Sequence, residues 1–112
     1  MEYTGKTFFK ASVKDKTQDD GDQTVDTEGS LYPGIAAKRN WQAQVEVSET
    51  PDAGTLSIKA RLPGASEYLE EKEVDLTAGN QRVSFEGVFT DIKVSPDNFD
   101  SDKSYSVYFC AA

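Results

Sequence analysis

The chain has 112 residues, the size of one ordinary domain, and this length leaves room for one modest hydrophobic core. Twenty acidic residues against twelve basic ones give a net charge of −8, which argues against nucleic acid and anionic membranes as partners. A lone cysteine, Cys110, excludes an intrachain disulfide, and the lack of histidine excludes Ser-His-Asp, Cys-His and histidine–metal chemistry. We find neither a signal peptide nor a membrane-spanning apolar run, and therefore expect synthesis in a cytoplasm.

Short segments of alternating apolar and polar residues follow one another along the chain. Such alternation places successive side chains on opposite faces of a sheet, so each segment predicts an antiparallel strand with one buried face. In chain order, the predicted strands are Lys6–Lys14, Trp41–Ser48, Thr55–Leu62, Gln81–Phe89 and Ser104–Cys110. The segment from Glu67 to Asp75 contains helix-forming residues but can also alternate, and we favour a strand there.

Turn-forming residues separate these segments. Thr50–Gly54 combines Pro51 with a glycine and predicts a hairpin between its flanking strands. Ser95–Asn98 predicts a turn around Pro96, and Gly87 predicts a bulge or a close backbone approach. No helix of ordinary length is predicted, so we expect an all-β fold: an antiparallel β-sandwich, Ig-like or jelly-roll-like, of about six to eight strands.

The stretch from Asp15 to Pro33 is acidic and poor in apolar residues. We interpret it as an extended N-terminal arm or a long acidic loop, with a short strand at Thr24–Asp26 as the alternative. The chain then consists of residues 1–40, an N-terminal strand plus this loop or arm, and residues 41–112, the sandwich core. Together they form one domain overall.

Two groups of carboxylates have the composition of calcium-binding loops. The first fails the EF-hand pattern, because aligning Gly21 with the invariant glycine places Lys16 and Thr27 at ligand positions. Solvated turns explain both groups, so we predict no metal site and no cofactor. The calcium candidates that remain are Asp19, Asp20 and Asp22, and Asp97, Asp100 and Asp102.

Carboxylate pairs are the remaining route to catalysis, since glycoside hydrolysis needs only two of them. Glu70, Glu71 and Glu73 are close in sequence, but their polar neighbours predict a solvated strand face. A catalytic pair would need burial to raise one pKa. We therefore expect no catalytic residues and a protein that is not an enzyme.

Trp41 is in phase with Val45 and Val47, which predicts a core position rather than a recognition surface for sugar or protein. Cys110 falls on the side of its strand opposite to Phe109, and we expect it to be an inert small residue.

One stretch of short strands and turns begins at Trp41 and reads WQAQVEVSETPDAGTLSIKARLPG. It is followed by a second, which begins at Val74 and reads VDLTAGNQRVSFEGVFTDIKVSPDNFDSDKSYSVYFCA. This layout resembles small accessory virion proteins of tailed phages, which are β-sandwich head decoration (cement) or fibre-associated proteins. The resemblance covers about residues 41–110. It implies a non-enzymatic protein, present in many copies and bound to a protein shell.

The function implied is that of a structural virion component, a capsid decoration protein that stabilises a phage head after synthesis in the host cytoplasm. Its partners would be other virion proteins, above all the major capsid protein, and copies of itself in a homo-oligomer, with a trimer favoured. Residues 1–40 would reach a neighbouring subunit. The expected partner-contact residues are Tyr3, Phe8, Leu31, Tyr32, Lys38 and Arg39.

The alternative function is a carbohydrate- or receptor-binding β-sandwich module of a fibre or adhesin. It would require Trp41, Tyr68 and Tyr105 at the surface, whereas the strand pattern points Trp41 and Tyr105 inward.

Overall fold

The computed structural model describes residues 9–26 and 39–112, and these residues form eight strands in two sheets. The strands are β1 (Phe9–Lys16), β2 (Gln23–Asp26), β3 (Asn40–Val47), β4 (Thr55–Arg61), β5 (Leu69–Asp75), β6 (Gln81–Glu86), β7 (Asp91–Asp97) and β8 (Tyr105–Ala111). The expected antiparallel β-sandwich is confirmed, and so is the strand favoured between Glu67 and Asp75. No helix in this part of the chain is long and apolar enough to cross a membrane.

The strand order is that of a jelly roll. Sheet I has the order β1-β8-β3-β6, and sheet II has the order β2-β7-β4-β5. The antiparallel pairs β1–β8, β2–β7, β3–β6 and β4–β5 correspond to one long hairpin rolled into two layers. Of the two sandwich types expected from the sequence, the structure therefore has the jelly-roll type.

The core lies between the two sheets and is filled by the inward half of each alternating strand. On β3, Trp41, Ala43 and Val45 are buried, whereas Gln42 and Gln44 point outward. Burying a Val, Leu or Ile side chain contributes about 1.5–3 kcal/mol. A shift of one residue would move these side chains to the solvent face, so burial fixes the register of the strands.

Trp41 anchors one end of the core. Its ring stacks on Phe85 and meets Phe89, with ring centroids 6.0 Å apart in each pair. Its Nε1 donates a hydrogen bond to the Gly87 carbonyl at 2.9 Å. Gly87 has a φ of +148°, and a Cβ added there would collide with the Phe89 ring. The close backbone approach expected at Gly87 is therefore present, and it ends β6 at Glu86 rather than at Phe89.

The Thr50–Gly54 turn does not form the predicted hairpin. It joins β3 in sheet I to β4 in sheet II, and so carries the chain from one layer to the other. Gly54, at φ +131°, lies against Phe99 with no space for a Cβ, and its carbonyl accepts from the Leu76 N–H at 3.0 Å. These partners are distant in sequence, so the local pattern shows only that a turn exists.

Two strands occupy positions where the sequence predicts a loop or a turn. β2 lies within the predicted acidic loop, at the alternative strand position, because Val25 is buried in the core. β7 extends through Pro96, which the sequence assigns to a turn but which is buried and paired with Leu56. The Pro96 carbonyl accepts from the Gln18 side chain beyond the end of β2, so the missing proline N–H interrupts no pairing there.

Candidate binding face

The outer face of sheet I is formed by the outward residues of β1, β8, β3 and β6. Strand pairing brings together side chains that are far apart in sequence, since β1 begins the described chain and β8 ends it. Two cross-strand rows make up most of the face: Lys10, Cys110, Gln42 and Ser84, and Ser12, Tyr108, Gln44 and Arg82. Side chains of one row lie about 5 Å apart between neighbouring strands, close enough to contact one ligand together.

Tyr108 lies in the middle of this face, and 38% of its surface is exposed. The Lys14 Nζ lies 5.9 Å from the centroid of the Tyr108 ring. Two shallow grooves, of about 330 Å³ and 300 Å³, are both lined by Tyr108 and Lys10. Shallow grooves beside an exposed aromatic ring suit an extended or flat partner better than a small enclosed ligand.

Hydrogen bonds order the part of the face that β3 and β6 share. The Arg82 Nη2 donates to the Gln44 Oε1 at 2.9 Å, and the Gln44 Nε2 donates to the Glu46 Oε2 at 2.8 Å. Lys10 and Lys14, on the β1 side, form no ion pair with any described residue. An acidic protein therefore presents on this face two cations that have no ion-pair partner among the described residues.

On the outer face of sheet II, Arg61 and Lys93 form ion pairs within the chain. Arg61 binds Asp91 through Nη2 at 2.8 Å and Nε at 3.2 Å, and the Lys93 Nζ lies 3.6 Å from Asp22. Tyr68 contacts both cations, with the Arg61 Cζ 5.2 Å and the Lys93 Nζ 4.4 Å from its ring centroid. Because these cations already have partners within the chain, they have less to offer a ligand.

The first group of calcium candidates lies around a 3-10 turn after β1. Asp20 accepts hydrogen bonds from the Thr17 N–H at 2.8 Å and the Thr17 hydroxyl at 3.1 Å. These bonds, the backbone one foremost, lower the pKa of Asp20 below its usual value. Asp22 pairs with Lys93, and Asp19 is exposed. The carboxylates of Asp20 and Asp22 thus cap a turn and neutralise a cation.

The second group also does not converge. The Asp100 Oδ2 accepts from the Asp52 N–H at 2.8 Å, and Asp102 lies 3.3 Å from the Lys103 Nζ. Asp97 is exposed at the end of β7. Within residues 9–26 and 39–112, no group of three or more Asp, Glu, Cys or His side chains could hold a metal ion.

Of the six expected partner-contact residues, the structure describes Arg39. It is exposed, its N–H donates to the Ala112 carbonyl at 3.2 Å, and its carbonyl accepts from the Gly87 N–H at 2.9 Å. The others lie outside the described residues: Tyr3, Phe8, Leu31, Tyr32 and Lys38.

The residues considered for sugar binding are placed as the strand pattern predicts. Trp41 and Tyr105 are each 1% exposed, and Tyr68 is half-buried. Burial, helped by the carboxylates of Asp20 and Asp22, raises the pKa of Tyr105 to about 12. Neither Trp41 nor Tyr105 can therefore contact a ligand at the surface.

The carboxylates considered for catalysis lie on β5, the edge strand of sheet II. Glu70 and Glu73 are exposed, and the Glu70 Oε1 accepts from the Ser57 hydroxyl at 2.7 Å. Glu71 falls between the two paired stretches, where the β4–β5 register shifts.

Sequence reasoning missed the outer face of sheet I. The alternating pattern predicts which residues are buried, whereas Gln42, Gln44 and Tyr108 lie in the polar, outward-facing half of their strands. The signal available was an aromatic residue in the polar phase of β8, since Tyr108 alternates with Val107 and Phe109. Strand pairing, which places Tyr108 between Ser12 and Gln44, could not be read from the sequence.

No protein-family model matches the chain, and no curated protein matches its sequence. Among solved structures, the chain is similar to a protein in the nora virus structure, with 12% identity, a TM-score of 0.54, and 94% of this chain and 54% of that chain covered. It is similar to the SPBc2 prophage-derived protein YomS, with 8% identity, a TM-score of 0.53 and 94% of each chain covered. It is also similar to CBM29_1, a family 29 carbohydrate-binding module from Piromyces equi, with 12% identity, a TM-score of 0.53 and coverage of 94% and 80%.

These likenesses show the fold alone, and this chain spans about half of the nora virus chain that it matches. The same β-sandwich thus occurs in proteins of viral and prophage origin and in a carbohydrate-binding module.

Proposed function

We propose that the protein is a non-enzymatic structural component of a virion, a decoration protein that stabilises a phage head by binding its shell. The observation that carries this proposal is the outer face of sheet I, where exposed Tyr108 lies among the cations Lys10, Lys14 and Arg82. Tyrosine and arginine are enriched at the centres of protein interfaces. The fold shared with a nora virus protein and a prophage protein is compatible with this role.

Charge gives the proposed contact a preferred partner. The chain as a whole carries −8, and this acidity opposes non-specific association with nucleic acid and with anionic membranes. Lys10 and Lys14 reverse that sign on the β1 side of the face, so this side favours an acidic patch on a shell protein. Charge complementarity of this kind mainly raises the association rate and selects the partner.

The N-terminal segment remains part of the proposal. Within residues 1–40, those outside β1 and β2 would add a second contact to the shell, through Tyr3, Phe8, Leu31, Tyr32, Lys38 and Arg39. Two linked contacts bind more tightly than either one alone, because the second contact forms at a high effective concentration. Many copies on one shell would then stabilise neighbouring shell subunits together.

Co-sedimentation with shells tests the proposal. Heads purified from the phage or host whose genome encodes the chain are mixed with the full chain, and binding is measured against protein concentration. Reversing both β1 cations, Lys10→Glu with Lys14→Glu, should weaken binding at least about tenfold. The matched control, with the same change in charge, is Lys59→Glu with Lys72→Glu on sheet II, which should leave binding within about twofold. Equal affinities for both variants, or no binding by the wild type, would refute the proposal.

Carbohydrate binding is the second candidate, and the same face favours it through different atoms. The exposed Tyr108 ring offers a stacking surface, while Gln42, Gln44 and Arg82 offer amide and guanidinium groups for hydroxyls. Titration calorimetry with soluble oligosaccharides distinguishes the candidates. Sugar binding that Tyr108→Ala abolishes and that Lys10→Glu leaves unchanged would favour this second function over shell binding.

A further inference from the structure

We infer that β6, the exposed edge of sheet I, pairs antiparallel with β6 of a second copy and joins two sandwiches through one continuous sheet. This inference does not depend on the proposed function, because it rests on the backbone and charges of a single strand. A two-fold contact gives a dimer, in place of the trimer expected from the resemblance to phage accessory proteins.

Backbone geometry identifies which residues of β6 have free hydrogen-bonding groups. The Gly87 N–H donates to the Arg39 carbonyl at 2.9 Å, so residues in phase with Gly87 bond to β3. In an antiparallel ladder, bonding alternates from one residue to the next. The N–H and C=O groups of Arg82, Ser84 and Glu86 therefore point away from β3, and no described residue hydrogen-bonds to them.

Charge selects the pairing register. If Ser84 lies opposite Ser84 of the second copy, then Arg82 lies opposite Glu86 of that copy, and Glu86 lies opposite its Arg82. All three facing pairs are then of the hydrogen-bonded type, and each exchanges two backbone hydrogen bonds. Both charged pairs are attractive, and each contributes about as much as an ordinary cross-strand pair.

The inward residues of β6 fit the same register. Val83 falls opposite Phe85 of the second copy, so apolar side chains meet apolar side chains across the junction. Val83 is half-buried in one copy and would lose more of its exposed surface on pairing. The two-fold axis makes the interface isologous, with the same patch used by both copies.

The opposite edge of sheet I shows why β6 rather than β1 pairs with itself. The Asn40 and Ala112 backbones exchange hydrogen bonds, so the alternate residues of β8 bond to β1. On β1, the backbone groups of Lys10, Ser12 and Lys14 then point away from β8 and have no partner strand among those that the structure describes. Pairing about Ser12 would place Lys10 opposite Lys14 of a second copy, and like charges directly opposite are destabilising. Lysines on an edge are a common protection against such pairing.

The edges of sheet II are protected in other ways. β2 has only the four residues Gln23–Asp26. β5 has a register shift at Glu71, and Lys72, which pairs with Ile58 in the inward phase, is exposed. Short edges, bulges and inward-pointing charges all discourage strand addition. Among the described strands, β6 is thus the edge whose charges favour pairing with itself.

Charge reversal and charge exchange test the inference. The mass of the full chain is measured by sedimentation and light scattering from about 1 μM to about 1 mM, and we expect a monomer–dimer equilibrium. Arg82→Glu places a glutamate opposite Glu86 of the other copy in both symmetry-related pairs. This repulsion should weaken the dimer at least about tenfold. Adding Glu86→Arg restores both attractive pairs, and should return the dissociation constant to within about threefold of the wild type. Both side chains are exposed, so circular dichroism should show the same fold throughout.

The matched control is Lys59→Glu on β4, an interior strand of sheet II, which makes the same change in charge away from both edges of sheet I and should leave the dimer unchanged. A monomer across the whole concentration range would overturn the inference. So would an Arg82→Glu effect that Glu86→Arg fails to reverse, since the two charges would then not face each other.

Cross-linking tests the register separately. Facing residues of a hydrogen-bonded pair have Cα atoms about 5.5 Å apart, which is within the range of a disulfide. With the exposed Cys110 replaced in a Cys110→Ser background, Ser84→Cys should give a covalent dimer on oxidation. Arg82→Cys should not, because its two thiols would lie about 14 Å apart along the strands. Equal cross-linking at both positions would contradict the register.

Discussion

On sheet II, Arg61 and Lys93 lie beside Asp91 and Asp22, and Tyr68 contacts both cations. On sheet I, Lys10 and Lys14 have no such counter-charge among the described residues, and the exposed tyrosine contacts a single lysine. Both faces arise from the same alternation of inward and outward residues. Their difference shows that outward polar residues can either stabilise the fold or remain available to a partner, and that pairing within the chain decides which.

The largest expected effect is the loss of Arg61. Arg61→Ala removes two hydrogen bonds from Asp91, whose side chain is only 14% exposed, and should lower the free energy of unfolding by about 2 kcal/mol. The matched variant on sheet I is Arg82→Ala, which should change it by less than about 0.5 kcal/mol because that side chain is exposed. Urea denaturation of both variants measures the difference, at protein concentrations low enough to keep the chain monomeric. Equal losses would show that the two faces do not differ.

The two tyrosines give the next largest contrast. Tyr68→Ala removes a half-buried ring that contacts two cations, each contact being worth about 0.5–1 kcal/mol. Tyr108→Ala removes a more exposed ring with one cation at 5.9 Å. We expect the first substitution to cost about 1 kcal/mol more than the second in chemical denaturation. The reverse order would mean that Tyr108 stabilises the fold instead of serving a partner.

The sequence predicts the buried half of each face well. On β3, Trp41, Ala43 and Val45 occupy every second position, and this period indicates which side of the strand faces the core. Pro96 is one exception, because its turn propensity is overridden by burial against the neighbouring strand. Local pattern therefore predicts the strands and their orientation, but tertiary packing corrects their ends.

The candidate site is much harder to predict, because its geometry depends on strand order. Lys10 and Cys110 are neighbours on the face but lie a hundred residues apart in sequence. Nothing in the turn at Thr50–Gly54 distinguishes a hairpin from a crossing between layers, and the topology depends on that distinction. The calcium candidates failed to converge for a similar reason, since Asp20 finds a local partner in Thr17.

Stability at alkaline pH tests the contribution of the buried Tyr105 hydroxyl. Burial, with the carboxylates of Asp20 and Asp22, raises the pKa of Tyr105 from 10.0 to about 12. Between pH 10 and about 12 the unfolded chain releases this proton and the folded chain keeps it, so stability should fall as the pH rises. Tyr105→Phe should remove that part of the decline.

At neutral pH, Tyr105→Phe should change stability little, because the hydroxyl has no hydrogen-bond partner among the described residues. The measurement is urea denaturation from pH 8 to about pH 12 for both proteins. Curves that decline in parallel would show that Tyr105 does not contribute to the pH dependence.

Acid pH should have the smallest effect, since it acts on an exposed cap rather than on a buried group. Asp75 ends β5 and accepts from the Thr77 hydroxyl at 2.6 Å and the Thr77 N–H at 3.0 Å. These bonds, the hydroxyl one foremost, lower the pKa of Asp75 below 3.8. The stabilisation is therefore present above about pH 4 and is lost as the pH falls through the lowered pKa. Asp75→Asn should flatten the acid limb of the stability curve slightly, and Thr77→Val, which removes the hydroxyl donor, should act in the same direction. If urea denaturation from acid to neutral pH shows neither effect, the carboxylate of Asp75 is a solvated charge, like the cations on sheet I, and does not stabilise the fold.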